Sequence, residues 1–416
     1  MDRPTNYTVY HLHTDYSLLD SCTKWEEYVD LAVSQGMTAI ASTEHGKPLG
    51  WVSKKMYCDA KGIKFLHGVE IYLTEHLEPK VRDNYHTVLI AKNLDGVHEL
   101  NRLIGLSSQE DHFYYTNRIS FDEFLNISDN IIKTSACLAS PLNKLPDDHP
   151  RYLELANHYD YLEVQAHNCE DQANYNRRLY ALAKKINKPL IAGTDTHNLS
   201  KYKAECRYIM MVRKHKSYGN EDSFDLSWKT LDEFIDMFKS QGAIPEEAYL
   251  EAIENTNVMA ASVEDFSIDS SIKYPILYGS PEEDERIFVE RTWRMFEEKL
   301  NAGIIPRYQE LAFREAIEEE LRVFHKIGMN GFMLSMSELI CWCKDNGMAI
   351  GTARGSVGGS RVAYVTDIID LNPEQWHTVF SRFCNENRQE INIVRSPYVV
   401  IHRKQTGEPI NMGCAA

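Results

Sequence analysis

An α/β fold is what the first 200 residues of this 416-residue chain predict, with a barrel of parallel strands ranked ahead of an open, doubly wound sheet. Two observations carry that expectation. Seven short apolar runs are separated mostly by amphipathic helical patterns. Residues able to bind metal recur near the ends of those runs, where parallel α/β folds gather their functional groups.

The first run, Thr8–His11, ends on His11 and His13, and Asp20 follows in the next loop. Lys24–Gln35 reads as a helix with Trp25, Tyr28, Leu31 and Ala32 on one face and Gly36 as its stop. The second run, Met37–Ser42, leads into Thr43-Glu44-His45-Gly46, and the third, Lys64–Leu73, contains Glu70. His86 opens the fourth, His86–Ala91, which a helix over Leu94–Leu106 follows. Cys137 lies beyond the fifth, Asn130–Thr134. After the sixth, Tyr161–Gln165, comes a helix over Asp171–Ile186; the seventh, Pro189–Ala192, leads to Asp195 and His197.

From about residue 200 to 270 the pattern turns helical, a segment expected to complete or border the barrel domain of residues 1–200. Ile272–Glu285, with Pro275, Gly279, Pro281 and an acidic run, reads as a linker. A helix over Tyr308–Ile327 carries Leu311, Ala316, Ile317, Leu321 and Phe324, with Gly328 as its C-terminal stop. A further helix, Ser335–Asn346, runs into the Gly-rich segment Gly351–Ser360. Ile391–Ala416 shows neither clear periodicity nor a compact ending.

The composition is that of an ordinary globular protein, 43% hydrophobic and 25% charged. No apolar run nears the roughly 18 residues of a membrane span, so no membrane partner is expected. Nine scattered cysteines, an odd number, fit thiols in a reducing cytoplasm better than a disulfide framework. A net charge of −16 at first argues against nucleic acid, which is gripped by Lys and Arg. By segment, residues 1–200 hold 20 basic and 27 acidic groups, 251–350 hold 10 and 19, and 351–416 hold 7 and 6. Twelve of the 16 histidines fall in the first 200 residues. An acidic, His-rich half is what a multi-metal site produces, and bound cations reverse its local charge.

Nitrogen, oxygen and one thiolate donor suit Zn²⁺, Mn²⁺ or Fe²⁺ better than Ca²⁺ or Mg²⁺ alone. Nine candidates exceed the needs of one tetrahedral ion, so two or three divalent metals are expected. Closely spaced metals are a device for phosphate ester hydrolysis.

On these motifs the sequence resembles a family. His11-Leu12-His13, Tyr16-Ser17-Leu18-Leu19-Asp20, Thr43-Glu44-His45-Gly46, Gly68-Val69-Glu70, His86–Asn93, Thr134–Leu138 and Gly193-Thr194-Asp195-Thr196-His197 are similar to the PHP (polymerase and histidinol phosphatase) domain. The form is the one found at the N-terminus of bacterial C-family replicative DNA polymerases, the polymerase III α type. The resemblance implies a distorted seven-stranded α/β barrel. It implies nine ligands for three metals, and all nine positions are filled here: His11, His13, Asp20, His45, Glu70, His86, Cys137, Asp195 and His197. Glu44 stands where the motif has Asp, a difference expected behind the ligands. The implied chemistry is 3′→5′ exonuclease action on a primer end, with Asp195, His197 and His13 as the catalytic set.

The second half extends the resemblance. Gly355-Ser356, Gly359–Tyr364, Asp370-Leu371-Asn372-Pro373 and Ser381-Arg382-Phe383 resemble the start of the C-family palm, over residues 271–390. This implies that Arg354, Gly355, Ser356 and Arg382 meet an incoming nucleotide triphosphate. The family's paired aspartates should follow within about a dozen residues of Arg382; the chain reads Asn387-Arg388-Gln389-Glu390-Ile391-Asn392-Ile393-Val394 instead. Two-metal nucleotidyl transfer needs those carboxylates to hold Mg²⁺, so no polymerisation by this chain alone is expected unless they are supplied elsewhere. The expectation is an N-terminal polymerase fragment with a tail, 391–416, outside the resemblance. Its implied partners are DNA, the remaining polymerase polypeptide and other replisome subunits. The competing readings are a free-standing phosphoesterase for a small phosphate monoester and a non-catalytic docking fragment.

Overall fold

A ring of extended segments organises the first of two units, Met1–Asp269; the second is Ser270–Ala416. The computed structural model describes residues 3–78, 81–217, 224–269, 274–353, 355–385, 399–402 and 409–412. In the first unit the elements are α1 (Trp25–Ser34), β1 (Ala39–Ser42), α2 (Trp51–Lys61), β2 (Lys64–Thr74), β3 (Tyr85–Ala91), α3 (Leu94–Ser107), β4 (Arg118–Ser120), α4 (Phe121–Leu125) and β5 (Ile131–Thr134). Then come α5 (Pro141–Lys144), α6 (Tyr152–His158), β6 (Leu162–Gln165), α7 (Glu170–Ile186), β7 (Leu190–Gly193), α8 (Lys201–Arg213), α9 (Leu231–Gln241) and α10 (Glu246–Ser262).

β1 pairs parallel with β2, and β6 parallel with β7. A parallel bridge from Thr134 to Tyr161 links β5 to β6. The ring closes through residues 8–13, which form isolated bridges, Val9 to Ile40 and Leu12 to Thr196, and no ladder of their own. Ala41 donates to the Val9 carbonyl, His13 to that of Thr196 and Thr196 to that of His11, at 2.8–3.0 Å. The α/β barrel reading therefore holds.

One strand departs from the expected parallel order. β3 runs antiparallel to both β2 and β5. A parallel neighbour needs a long crossover, usually a helix. Between Thr74 and Tyr85 the chain has only ten residues and no described helix, so it turns back. The opening end of β3 thereby joins the rim formed by the closing ends of the others. The short β4, absent from the sequence reading, pairs with the end of β2.

Apolar spacing places the helices as expected. Trp25, Tyr28, Val29 and Ala32 of α1 and Tyr175, Leu179 and Leu182 of α7 are buried in the barrel's core. Phe234 and Phe238 of α9 and Ile253 of α10 join the same cluster, so residues up to 269 belong to one unit with the barrel. α10 fastens the ring where its first and last segments meet: Asn255 donates to the Leu190 carbonyl at 2.7 Å, and Thr8 N–H to Thr256 Oγ1 at 2.9 Å.

The second unit contains α11 (Pro281–Asn301), α12 (Glu310–Lys326), α13 (Asn330–Asp345), the short α14 (Arg361–Val365) and a two-stranded antiparallel ladder, β8 (Val399–His402) with β9 (Pro409–Met412). The predicted linker is too long. Ser280 caps α11 by accepting from Glu283 N–H, and Pro281 takes the first helical position. The acidic run is the helix's first turn, where carboxylates meet the positive end of the helix dipole. α12 buries Phe313, Ile317, Val323 and Phe324, while Leu311, expected on that face, is exposed. The core of this unit adds Phe288, Phe296 and Val362.

A buried carboxylate ties α12 to α14. Glu320 accepts from Ser360 Oγ at 2.6 Å and from the backbone N–H groups of Arg361 and Val362 at 2.9 and 3.0 Å. Burial pushes its pKa from 4.5 up to about 7. The folded state thus holds the proton more tightly than the unfolded chain, so this stabilisation is complete below about pH 4.5 and is lost as pH rises through about 7. Denaturant unfolding of the second unit should show lower stability at pH 8 than at pH 5.5, with a flatter profile in Glu320→Gln. Glu320→Ala, which leaves three buried donors without an acceptor, should cost about 2–4 kcal/mol.

Candidate metal centre

All nine sequence-picked ligands of the first unit converge on one rim of the ring. His11 and His13 come from the closing segment, Asp20 from the loop after it, and His45 from the turn after β1. Glu70 lies within β2, which extends past its neighbours; His45 bridges to it in parallel register. His86 lies at the opening end of β3, two residues of register from Glu70, opposite Tyr72. Cys137 follows β5, and Asp195 with His197 follow β7.

Glu70 is the hub. Its Oε2 lies 2.8 Å from His45 Nδ1, 3.2 Å from His13 Nε2 and 3.7 Å from His11 Nε2, and its Oε1 contacts His86 Nδ1. Asp195 Oδ1 is 3.3 Å from His11 Nε2 and 3.4 Å from His13 Nε2. Asp20 Oδ2 lies 2.9 Å from His45 Nε2 and 3.4 Å from His197 Nε2. Cys137 Sγ is 3.5 Å from His86 Nδ1. Among the described residues, three overlapping groups have donor atoms within 4.8 Å of one another: His13/His45/His197, His11/His13/Glu70 and Glu70/His86/Cys137.

These atoms point at one another without satisfying one another. His11 Nε2, His13 Nε2, His45 Nδ1, His197 Nε2, Asp195 Oδ1 and both Glu70 oxygens are buried and have no hydrogen-bond partner among the described residues. Orphaned buried polar groups are costly and rare, and a set of lone pairs converging at this spacing fits divalent cations. Burial opposes ionisation of Glu70, but His86 and His45 hold its pKa well below the usual range. Burial likewise opposes ionisation of Asp195, which His11 and His13 keep low. His13 is pushed down by burial and by the neighbouring His45 and His197, which leaves it neutral and ready to donate a lone pair.

A second layer fixes the ligands, and most of it escaped the sequence reading. Glu163 Oε1 receives His11 Nδ1 at 2.7 Å, which frees Nε2 to face the rim. Glu163 is held in turn by Gln165 Nε2 at 2.8 Å and Thr134 Oγ1 at 3.0 Å. His197 Nδ1 donates to the Asp195 carbonyl at 2.8 Å. Arg207 of α8 grips Asp20 through its carboxylate and its carbonyl. Glu44, fully buried, pairs with Lys54 and accepts from Thr14 and Ser17; Ser17 Oγ lies 3.2 Å from His13 Nδ1. It stands behind the ligands, as expected. The visible signal for the missed layer was Glu163-x-Gln165-x-His167, polar residues at period two on an otherwise apolar strand.

In the second unit Gly355 and Ser356 lie exposed on a 3-10 turn, Gly355–Gly359, and Arg382 on another, Phe380–Arg382. Thr378 Oγ1 donates to the Gly358 carbonyl at 2.8 Å, so the segments leading into these turns adjoin. Arg361 is engaged by Glu374 at 2.5 Å. The Arg354 assignment lies outside the described residues, as does Asn387–Val394.

Residues 10–167 match the PHP domain family, and residues 287–392 match the bacterial DNA polymerase III alpha NTPase domain. The chain carries a PHP domain and a polymerase III α domain. Asp195 and His197 lie beyond the matched PHP stretch. Curated relatives agree in naming: the DNA polymerase III subunit alpha of Aquifex aeolicus is 30% identical over 411 residues, covering 91% of this chain and 35% of that protein. That of Borreliella burgdorferi is 32% identical, covering 91% and 34%, and that of Helicobacter pylori strain J99 is 27% identical, covering 96% and 36%. The chain spans about a third of the length of these relatives. Among solved structures, a two-domain Bacteroides vulgatus protein containing a predicted PHP-like metal-dependent phosphoesterase aligns over 58% of this chain and 65% of its own, at 14% identity. Its TM-score of 0.34 is too low to bear on the fold.

A side chain added at Gly193 tests the second layer. Its Cβ would lie 2.1 Å from Glu163 Oε1 and 2.5 Å from Cδ, so the carboxylate must leave His11. Gly193→Ala and Glu163→Ala should each weaken metal retention by about 10–100-fold, read by competition with a chelator.

Proposed function

We propose that the PHP site hydrolyses phosphodiester bonds, acting as a metal-dependent 3′→5′ exonuclease on a DNA primer end. The observation that carries this reading is the buried, overlapping donor set in which Glu70 and His13 are each shared between adjoining groups. His11, His13, Asp20, His45, Glu70, His86, Cys137, Asp195 and His197 would hold two or three ions. Divalent cations there would supply hydroxide near neutral pH and stabilise the leaving oxygen.

The chain's own residues do the rest. Asp195 and His197 sit on one turn with a shared hydrogen bond, so the two donors keep a fixed relation. Glu163 holds His11 in one tautomer, Arg207 grips Asp20, and the neighbouring His197 and His45 hold the Asp20 carboxyl well below its usual range against the cost of burial. In the hydrolysis, water adds across the P–O3′ bond; the upstream strand leaves with a 3′-hydroxyl and the terminal nucleotide as a 5′-monophosphate. A small-monoester phosphatase is disfavoured by the polymerase III α match over residues 287–392.

For the second unit we infer that this chain by itself does not extend a primer, because the sequence after Arg382 offers no paired aspartates to hold Mg²⁺. A cytoplasmic replication setting, with DNA and further polymerase polypeptide as partners, goes with this reading. No helix among the described residues is long and apolar enough to cross a membrane.

Purified protein with Mn²⁺ or Zn²⁺ should shorten a labelled primer from its 3′ end, and Asp195→Ala or His197→Ala should lower that rate by at least about 100-fold. Elemental analysis should find more than one metal ion per chain. Undiminished activity in both variants would sink the nuclease assignment. Extension of the primer by the isolated chain would overturn the inference about the second unit.

A further inference from the structure

Beside the metal centre lies a cavity of about 420 Å³ whose wall includes the candidate ligands Cys137 and Asp195. That volume falls within the roughly 300–1,000 Å³ of small-molecule sites, room for a nucleotide unit and more than a bare phosphate requires. Its composition suits a nucleotide as well. Lys144 of α5 and Arg178 of α7 supply two cations, Asn143 and Gln165 supply amides, and Phe224 supplies a ring. The two acids on the same lining are Asp171 and Asp195, and Asp195 is engaged with His11 and His13 at the metal centre.

The aromatic wall is built. Phe224 stacks on His167, with ring centroids 4.7 Å apart and planes 16° apart. His167 is only 4% exposed, and neither of its ring nitrogens has a hydrogen-bond partner among the described residues. Base-on-aromatic stacking is the sequence-tolerant way to seat a single strand. The cationic wall is available. Arg178 is bound to Asp147 at 2.6 Å, with the two side chains 39% and 72% exposed, a surface pair of little strength. A phosphate would match the guanidinium fork better than this solvated partner does.

Resting on the exonuclease reading, we propose that this cavity seats the nucleotide on the 5′ side of the scissile bond. Its 3′-phosphate is the scissile group at the Cys137 and Asp195 wall, its base lies against Phe224, and its 5′-phosphate is held by Arg178 and Lys144. The site therefore recognises a strand carrying two consecutive phosphates around one nucleotide, and Arg178 is a substrate-binding residue that touches no metal.

Dinucleotides test this. The full chain loaded with Mn²⁺ should cleave 5′-phosphorylated pdTpdT about tenfold more efficiently than dTpdT. Arg178→Ala should erase that preference through KM for pdTpdT, and Arg178→Lys should restore part of it. Phe224→Ala should raise KM for both dinucleotides. A preference that persists in Arg178→Ala, or is missing from the wild type although both dinucleotides are cleaved, overturns the placement and leaves the nuclease reading intact. Failure of the wild type to cleave either dinucleotide or a longer primer end overturns the nuclease reading and the placement together.

Discussion

One carboxylate sets the terms for the first unit. Glu70 is buried, ionised and surrounded by the ring nitrogens of His11, His13, His45 and His86, yet neither of its oxygens has a hydrogen bond. A protein interior does not tolerate such a charge without compensation. In the bare chain the compensation comes from charge on the neighbouring imidazoles of His86 and His45, which repel each other at a ring separation of 6.2 Å. Cations at the donor groups would relieve both problems at once, which would make metal binding a term in the stability of the barrel rim.

The ring delivers that arrangement through an irregularity. With every strand parallel, the opening residue of the fourth strand would sit at the opposite end from the closing residues of the others. Because β3 runs backward, His86, opposite Tyr72, reaches Glu70 two residues of register away, and Cys137 approaches from β5. The donor set is thus assembled from six separate stretches of chain. The second layer then removes the remaining freedom, with Glu163 on His11, Arg207 on Asp20 and Ser17 between Glu44 and His13.

What could be read in the sequence follows from this. Apolar periodicity located all seven segments of the ring and the helices α1, α3, α7, α12 and α13, because those patterns record burial directly, but not α2 or the long α11. The nine candidate ligands were legible as residue types near strand ends and from their resemblance to a family. The direction of β3 was not, since periodicity says nothing of strand sense; the short connection before it was the available clue. Glu163 and Arg207 were hidden for another reason: an acid within a strand and an arginine on a helix are common, and only proximity to His11 and Asp20 gives them meaning. The acidic run at 282–285 reads equally as linker or helix start from charge alone, and the Ser280-Pro281 pair before it is what marks the helix.

The fastening of the ring by α10 bears on how the chain is made. The segment that closes the ring precedes the rest of the barrel in the chain, and its amide at Thr8 is secured by Thr256, some 250 residues later. Every donor at the rim from His11 to His197 has therefore left the ribosome before the closing contact can form. Such distant pairings are slow, because loop closure must precede any gain from contact. The nascent chain spends that interval with imidazoles and carboxylates already present and the barrel open, a stage at which metal could be taken up before the fold is complete.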